Sequence, residues 1–112
     1  MPVAKPAVLQ VTIPNGQSLS DAAEIGEGVL VALQVPTLTN AALTFQISHD
    51  GVTYQNAFDT AQAEITIPAS TGARFIQAPA TLSGAPFIKV RSGTSGAPVA
   101  QGADRVFQLV AK

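Results

Sequence analysis

The sequence has no cysteine, no tryptophan and a single histidine. Without cysteine the chain can form neither a disulfide framework nor a thiolate metal site, and this fits folding in a reducing cytoplasm. With one histidine, any metal site would have to be built from oxygen ligands. These absences exclude disulfide-stapled folds and cysteine-based zinc sites.

Charge is also scarce. Charged residues make up 12% of the chain and the net charge is −1, whereas an average soluble protein has about twice that charged share. The six basic residues are spread along the sequence, so there is no clustered positive footprint for DNA or RNA, and we expect no nucleic-acid partner. A neutral surface costs little to desolvate against another protein, which favours an assembled protein.

Long apolar runs are absent. No stretch approaches the roughly 20 residues needed to span a bilayer, and the first residues, MPVAKPAV, lack the apolar core of a signal peptide. We therefore expect neither a membrane protein nor a Sec-exported precursor.

Short alternating segments dominate what is present. Leu43, Phe45 and Ile47 alternate with polar residues, which is the period-2 pattern of a strand with one buried face. Asp50-Gly51 then supplies a turn, because glycine takes positive φ without steric cost. Residues 43–58 are therefore predicted to form a β-hairpin, with Tyr54 and Phe58 in its core.

Similar segments recur along the chain and predict about eight or nine short strands, at 9–13, 22–25, 29–35, 63–68, 73–78, 87–92 and 105–111 besides the hairpin. A short helix over residues 18–25 is the alternative to the strand at 22–25. The pattern predicts an all-β, single-domain antiparallel β-sandwich or jelly roll over residues 7–112, with an up-and-down barrel as the main alternative.

Three further expectations complete this description. Residues 1–6 carry two prolines and should form an extended arm. Residues 93–104, GTSGAPVAQGAD, are rich in small residues and glycine, which predicts a long, mobile loop. Most of the five phenylalanines lie in or beside predicted strands and are expected in the core.

The candidate catalytic residues do not form a convincing site. Ser48, His49 and Asp50 have the residue types of a hydrolase triad, but adjacent residues on a strand point to opposite faces and cannot line up. The glycine-rich 93–96 segment lacks the lysine and the following helix of a phosphate-binding loop. We therefore expect no enzyme activity, no cofactor and no small-molecule substrate.

Carboxylates are equally unconvincing as metal ligands. Asp50, Asp59 and Glu64 lie near one another in the sequence, but their spacing matches no calcium loop. We interpret them as solvated carboxylates at turns and predict no metal site.

Basic residues form the only charged pattern that points to a partner. Lys89 and Arg91 share one face of their predicted strand, and Arg105 would lie nearby if the two strands paired. This stripe either contacts acidic residues of a neighbouring subunit or is a solvated outer sheet face.

Three segments, GEGVLVALQVP, AALTFQISHDGVTYQNAFD and PFIKVRSGTSGAPVAQGADRVFQLV, together resemble small virion proteins of tailed bacteriophages encoded near the major capsid protein. The resemblance covers about three-quarters of the chain and departs from the family at residues 54–60, where an aromatic-rich stretch is common. The matching residues are Leu43, Thr44, Phe45, Gln46, Ser48, Asp50, Gly51, Val90, Arg91, Ser92, Gly93, Thr94, Pro98, Val99, Gln101, Ala103 and Arg105. The predicted strand order also resembles discoidin-like and galactose-binding-like jelly rolls, an analogy of fold alone.

This resemblance implies a structural role without chemistry: a capsid decoration (cement) protein, or a head or tail accessory subunit. It implies binding to the major capsid protein and to copies of itself as a homotrimer, on the capsid surface of the virion, after synthesis in the host cytoplasm. The arm and the 93–104 loop are the segments expected to reach across subunits. The candidate partner-binding residues are Pro2, Val3, Lys5, Lys89, Arg91, Thr94, Ser95, Val99, Gln101 and Arg105.

The alternative is a carbohydrate-binding or adaptor module of a virion appendage, such as a head fibre or a tail. A sugar site needs aromatic platforms, and only Tyr54 and Phe58 are plausible ones.

Overall fold

A computed structural model describes residues 7–82 and 84–112, in which the chain forms nine β-strands and one short 3-10 helix. The strands are β1 (Ala7–Ile13), β2 (Leu19–Glu24), β3 (Leu30–Val35), β4 (Ala41–Ser48), β5 (Gln55–Asn56), β6 (Ile67–Ser70), β7 (Arg74–Gln77), β8 (Phe87–Ser92) and β9 (Arg105–Ala111), and the 3-10 helix is Ala80–Leu82. The predicted arm at residues 1–6 lies outside the described part. Within the described residues, no helix has the length and apolarity that crossing a membrane requires.

Two antiparallel sheets pack face to face. The first sheet has the order β1-β9-β3-β7, and the second has the order β2-β8-β4-β5 with β6 also paired to β4. The chain crosses from one sheet to the other at almost every step, since only β4, β5 and β6 are consecutive in one sheet. This is the connectivity of a jelly roll, and it confirms the predicted sandwich over the barrel.

The core lies between the sheets and follows the predicted alternation. Phe45 of β4 is paired with Val90 of β8, and Val11 of β1 is paired with Phe107 of β9. All four side chains are buried. Burial of a large apolar side chain contributes about 1.5–3 kcal/mol, so these facing rows supply much of the driving force for folding.

The alternation fails in β3 because of a β-bulge. Leu30 pairs with Ala111 and Ala32 with Val110, so Val31 is an extra residue opposite β9. The side chains on either side of the bulge are therefore out of phase, and Leu30, Leu33 and Val35 are buried while Val31 is only half-buried.

Residues 19–24 form strand β2, so the strand prediction is confirmed and the helix alternative is wrong. A register shift between Leu19 and Ala22 accommodates Ser20 and Asp21. The buried Ser20 hydroxyl accepts a hydrogen bond from the Val90 N–H (2.9 Å) and donates one to the Asp21 carbonyl (2.7 Å). The serine side chain thus satisfies the Val90 N–H at the point where the register of β2 is irregular.

The predicted hairpin exists, but its tight turn does not. Strand β4 pairs with β5 through Gln46 opposite Asn56 and Ile47 opposite Gln55, which leaves a six-residue loop at 49–54. Gly51 has φ +77° within this loop, and a Cβ there would lie 3.1 Å from the Phe87 ring. The loop folds back onto β8 instead of closing directly on Asp50-Gly51.

The aromatic residues are less buried than predicted. Phe45 and Phe107 are in the core, but Phe58 is 51% exposed and Phe75 is 63% exposed. Tyr54 is half-buried on the outer side of the second sheet. The prediction that Tyr54 and Phe58 fill the hairpin core is therefore wrong.

Candidate functional site

Arg91, one of the predicted partner-binding residues, is engaged inside the subunit in this fold. It projects from the outer side of the second sheet, yet it is 6% exposed because residues 56–64 fold over it. Its guanidinium donates to Glu64 (3.3 Å), to Thr44 (3.4 Å) and to the Asn56 side-chain oxygen. The Glu64 carboxylate also accepts the backbone N–H of Ser95 (3.1 Å). Arg91 is thus a buried connector between β8, β4, β5 and two loops.

Lys89 occupies the next outward position on β8. Its ammonium lies 4.3 Å from the centre of the Tyr54 ring, a cation–π contact of about 0.5–1 kcal/mol at a partly exposed site. The lysine therefore helps to hold the 49–54 loop against the sheet, and it remains half-buried.

The predicted basic stripe is wrong as a unit. Arg105 is in β9 of the first sheet, whereas Lys89 and Arg91 are in the second. The Arg105 guanidinium donates to the Gln101 side-chain oxygen (3.1 Å) and to the Thr39 hydroxyl (3.4 Å). Each basic residue serves a different local contact.

The 93–104 loop is extensively hydrogen-bonded, contrary to the predicted mobile loop. Gly93 donates its N–H to the Ala42 carbonyl (2.7 Å) and accepts the Thr44 hydroxyl (2.8 Å). Val99 donates its N–H to the Ser92 carbonyl (2.8 Å), and Gly93 and Pro98 form a β-bridge. The loop therefore turns back on the end of β8 and is anchored at both sides of its tip.

Gln101 anchors the far end of the same loop. Its side chain is 2% exposed, accepts the Thr39 N–H (2.9 Å) and donates to the Thr39 carbonyl (3.3 Å). Its backbone exchanges hydrogen bonds with Gly16 and Gln17. Gln101 is thus an internal tether whose side chain is engaged within the subunit, and its assignment as a partner-binding residue stays a prediction.

The other predicted partner residues divide by exposure. Ser95 is exposed at the tip of the 93–104 loop, while Thr94 and Val99 are half-buried beside it. Pro2, Val3 and Lys5 lie outside the described residues. Among the described candidates, the structure brings Thr94, Ser95 and Val99 together as an ordered protrusion next to the end of β8, and it brings Arg105 into contact with Gln101.

Ser48, His49 and Asp50 form a loop cap instead of a triad. The Ser48 hydroxyl donates to the Asp50 carboxylate (2.9 Å), and the same carboxylate oxygen accepts the N–H groups of Val52 (2.9 Å) and Thr53 (3.0 Å). His49 is exposed and takes no part in these bonds. Hydrogen bonds from the Thr53 and Val52 N–H groups, then from the Ser48 hydroxyl, lower the pKa of Asp50 from 3.8 to about 2.

This pKa predicts a loop transition in acid. Because the folded-state pKa of Asp50 is lowered, its contribution to loop stability is present above pH 3.8 and is lost as the pH falls to about 2. The amide NMR signals of Val52 and Thr53 should therefore titrate with a midpoint near pH 2, and the Asp50→Asn variant should lose this titration. A midpoint near the ordinary aspartate pKa would contradict the capping geometry.

The other candidate carboxylates also have structural partners. Asp59 accepts the N–H groups of Ala61 (2.8 Å) and Ala63 (3.1 Å) in the turn of a small hairpin at residues 57–65, and Glu64 pairs with Arg91. In the part of the chain that the structure describes, no three histidine or carboxylate side chains converge on one point.

A cleft opens between the β4–β5 hairpin and the segment around the 3-10 helix. Its volume is about 450 Å³, and its walls carry Ile47 and Leu82 together with the polar side chains of Asp50, Gln55 and Asn56. Sequence reasoning missed this cleft because it depends on the long 49–54 loop. Tyr54 and Phe58, the predicted sugar platforms, are not among its lining residues.

Sequence reasoning also missed a feature of the first sheet. Its outer side presents ten residues in register, none of them charged, and we call this surface the uncharged face. It consists of Val8, Gln10, Thr12, Ala32, Gln34, Phe75, Gln77, Val106, Gln108 and Val110. The signal was available in the sequence, since glutamine or another neutral residue alternates with buried residues in β1, β3 and β9.

Comparison with known proteins yields a fold and no family. No protein-family model matches the chain, and no curated protein matches it. Among solved structures, the crystal structure of the SPBc2 prophage-derived protein YomS is similar, with a TM-score of 0.56 and 10% sequence identity. The likeness covers 100% of this chain and 99% of YomS. At this identity it shows a shared fold alone.

Proposed function

We propose that this protein is a non-enzymatic structural protein of a tailed-phage virion, specifically a capsid decoration protein that binds the major capsid lattice and stabilises the head. The observation that carries the proposal is the structural likeness to a prophage-derived protein, which covers 100% of this chain and 99% of the other. The ordered sequence resemblance described above supports it independently.

The tip of the 93–104 loop is the contact site that we propose for the capsid. Ser95 is exposed there, while the backbone beneath it is fixed by Gly93 and by the Glu64 carboxylate. A preformed loop loses little conformational entropy on binding, so more of the free energy of its contacts contributes to the affinity. Copies of the same chain are the second proposed partner, and the capsid surface of the virion is the proposed location.

Reconstitution on phage heads tests the proposal. The purified protein should co-sediment with heads prepared without it and should raise the temperature at which those heads release DNA. The Ser95→Arg variant should reduce this binding at least about tenfold, since an added charge would be desolvated in the contact.

Thr60→Arg is the matched control, because Thr60 is also exposed, at the turn of the 57–65 hairpin, and receives the same charge. This variant should bind heads like the unmodified protein. Failure of the unmodified protein to bind heads would reject the decoration function, and equal binding by both variants would reject the loop as its contact.

A carbohydrate-binding or adaptor module of a virion appendage is the second candidate, and the cleft is the observation that favours it. Amide and carboxylate groups such as those of Gln55, Asn56 and Asp50 are suited to sugar hydroxyls. A glycan array separates the two functions. If the unmodified protein bound a glycan specifically and the folded Gln55→Ala variant did not, the carbohydrate-binding module would be favoured over the decoration protein.

A further inference from the structure

The outer sides of the two sheets differ in chemistry. The outer side of the second sheet carries the exposed Glu24 and the half-buried Lys89, and it also holds the buried ion pair of Arg91 and Glu64. The uncharged face of the first sheet carries four glutamines and no ionisable group. It also exposes three large apolar side chains, with Val8 60%, Phe75 63% and Val106 39% accessible. Its neutrality is therefore a property of one face and not of the whole surface.

A row of polar amides runs across the centre of this face. Gln10 is opposite Gln108 and Gln108 is opposite Gln34, so the amides cross three strands, and Phe75 is opposite Gln34 on the fourth. The Gln108 amide nitrogen contacts the Gln10 side-chain oxygen at 3.4 Å. Each glutamine side chain offers two N–H donors and one acceptor oxygen, so a row of glutamines is complementary to a second copy of itself.

The lack of charge also selects the partner. In a two-fold contact each residue near the axis meets its own equivalent, and like charges there would repel. A foreign surface with charged side chains would lose hydration against this face without gaining an opposite charge. An identical face meets neither penalty.

The size of the face fits a modest dimer. Four strands about 4.8 Å apart and about six residues long at about 3.3 Å per residue cover roughly 400 Å² in projection. Two such faces would bury on the order of 1,000 Å² of accessible surface in total, which is near the lower limit of specific interfaces. A dissociation constant in the micromolar range, on the order of 10 µM, is expected.

We propose that the uncharged face is the contact through which two copies of this chain associate about a two-fold axis. The proposed function includes self-association, and this face specifies how the copies would meet. The inference therefore rests on the self-association in the proposed function, but it does not require capsid binding. It also replaces the homotrimer that the family resemblance implied. A closed trimer joins two different surfaces of each subunit, whereas this face is complementary to itself.

Sedimentation equilibrium of the full chain from about 5 to about 500 µM tests the proposal. The unmodified protein should change from the mass of one copy to the mass of two. Gln34→Lys places a charge at the centre of the face and should raise the dissociation constant at least about tenfold. Mixing Gln34→Lys with Gln34→Glu should restore association as a mixed dimer, which also shows that both variants are folded.

Gln62→Lys is the matched control, since it makes the same change at an exposed position in the turn of the 57–65 hairpin, which lies over the second sheet, and it should leave the dissociation constant unchanged. A protein that stays monomeric at 500 µM, a trimeric mass, or equal effects of Gln34→Lys and Gln62→Lys would overturn the proposal. A protein that dimerises but does not bind phage heads would reject the capsid function and support this inference. A protein that stays monomeric but binds heads would reject this inference and support the capsid function.

Discussion

Replacing Glu64 with alanine is expected to lower the free energy of unfolding by about 3 kcal/mol, because it leaves the buried Arg91 guanidinium without its counter-charge. Arg91 and Glu64 are in contact at 3.3 Å, with side chains 8% and 13% exposed. Asn56 and Thr44 would still accept hydrogen bonds from Arg91, but neither carries a negative charge. The variant also removes the acceptor of the Ser95 N–H, so the 93–104 loop should loosen together with the core.

Equilibrium denaturation in urea measures the loss directly. Glu27→Ala is the control, since Glu27 is exposed in a turn and its removal should change stability by no more than about 0.5 kcal/mol. The double variant Glu64→Leu with Arg91→Met should recover most of the loss, because it removes both charges and retains apolar volume. Equal stability of Glu64→Ala and Glu27→Ala would contradict the idea that this ion pair holds the outer layer of the second sheet.

The ion pair explains why the outer side of the second sheet keeps charged residues, while the outer side of the first sheet has none. The segment 56–64 and the tip of the 93–104 loop are attached to the sheet through one guanidinium, so that side chain has a structural use inside the subunit. No segment of the described chain covers the glutamine row of the first sheet. Its neutrality therefore has no equivalent intramolecular explanation, which is why we assign it to contact between copies.

The strands were predictable where alternation and pairing agree. In β4 and β8 the buried apolar residues alternate with polar ones along most of each strand, and the register between these two strands has no shift, so local sequence pattern and sheet geometry give the same answer. In β3 the bulge at Val31 changes the phase, and a single sequence contains no period-2 signal for an inserted residue. The fold class could therefore be predicted, while the facing of individual side chains around bulges could not.

Long-range contacts limited the prediction of the site. Arg91 appeared to be a surface residue because it alternates with Val90 on a strand, and its burial depends on Glu64, 27 residues earlier in the chain. Gln101 likewise acts through Thr39, 62 residues away. Composition indicated a mobile loop at 93–104, but composition contains no information about the hydrogen bonds that the ends of a loop make with distant strands.

In the same loop, Gly93→Ala should lower the free energy of unfolding by about 3 kcal/mol. Gly93 has φ +90°, a conformation that alanine adopts only with strain. An added Cβ would lie 2.5 Å from the Ala97 carbonyl oxygen and 2.6 Å from the Val99 nitrogen. Both are backbone atoms, so relief requires opening the β-bridge to Pro98 and not merely rotating a side chain.

Gly96→Ala makes the same chemical change three residues away, where nothing lies within 4 Å of the added Cβ and φ is not positive. Its stability should stay within about 0.5 kcal/mol of the unmodified protein. Hydrogen exchange should show lost protection of the Gly93 and Val99 amides in Gly93→Ala alone, because those two N–H groups bond to Ala42 and Ser92 across the closed loop. If Gly93→Ala kept both protection and stability, the loop would not be held as described, and a preformed tip at Ser95 could no longer support capsid binding. If Gly93→Ala lost both protection and stability and also bound heads more weakly, then loop order and capsid binding would both depend on the β-bridge between Gly93 and Pro98.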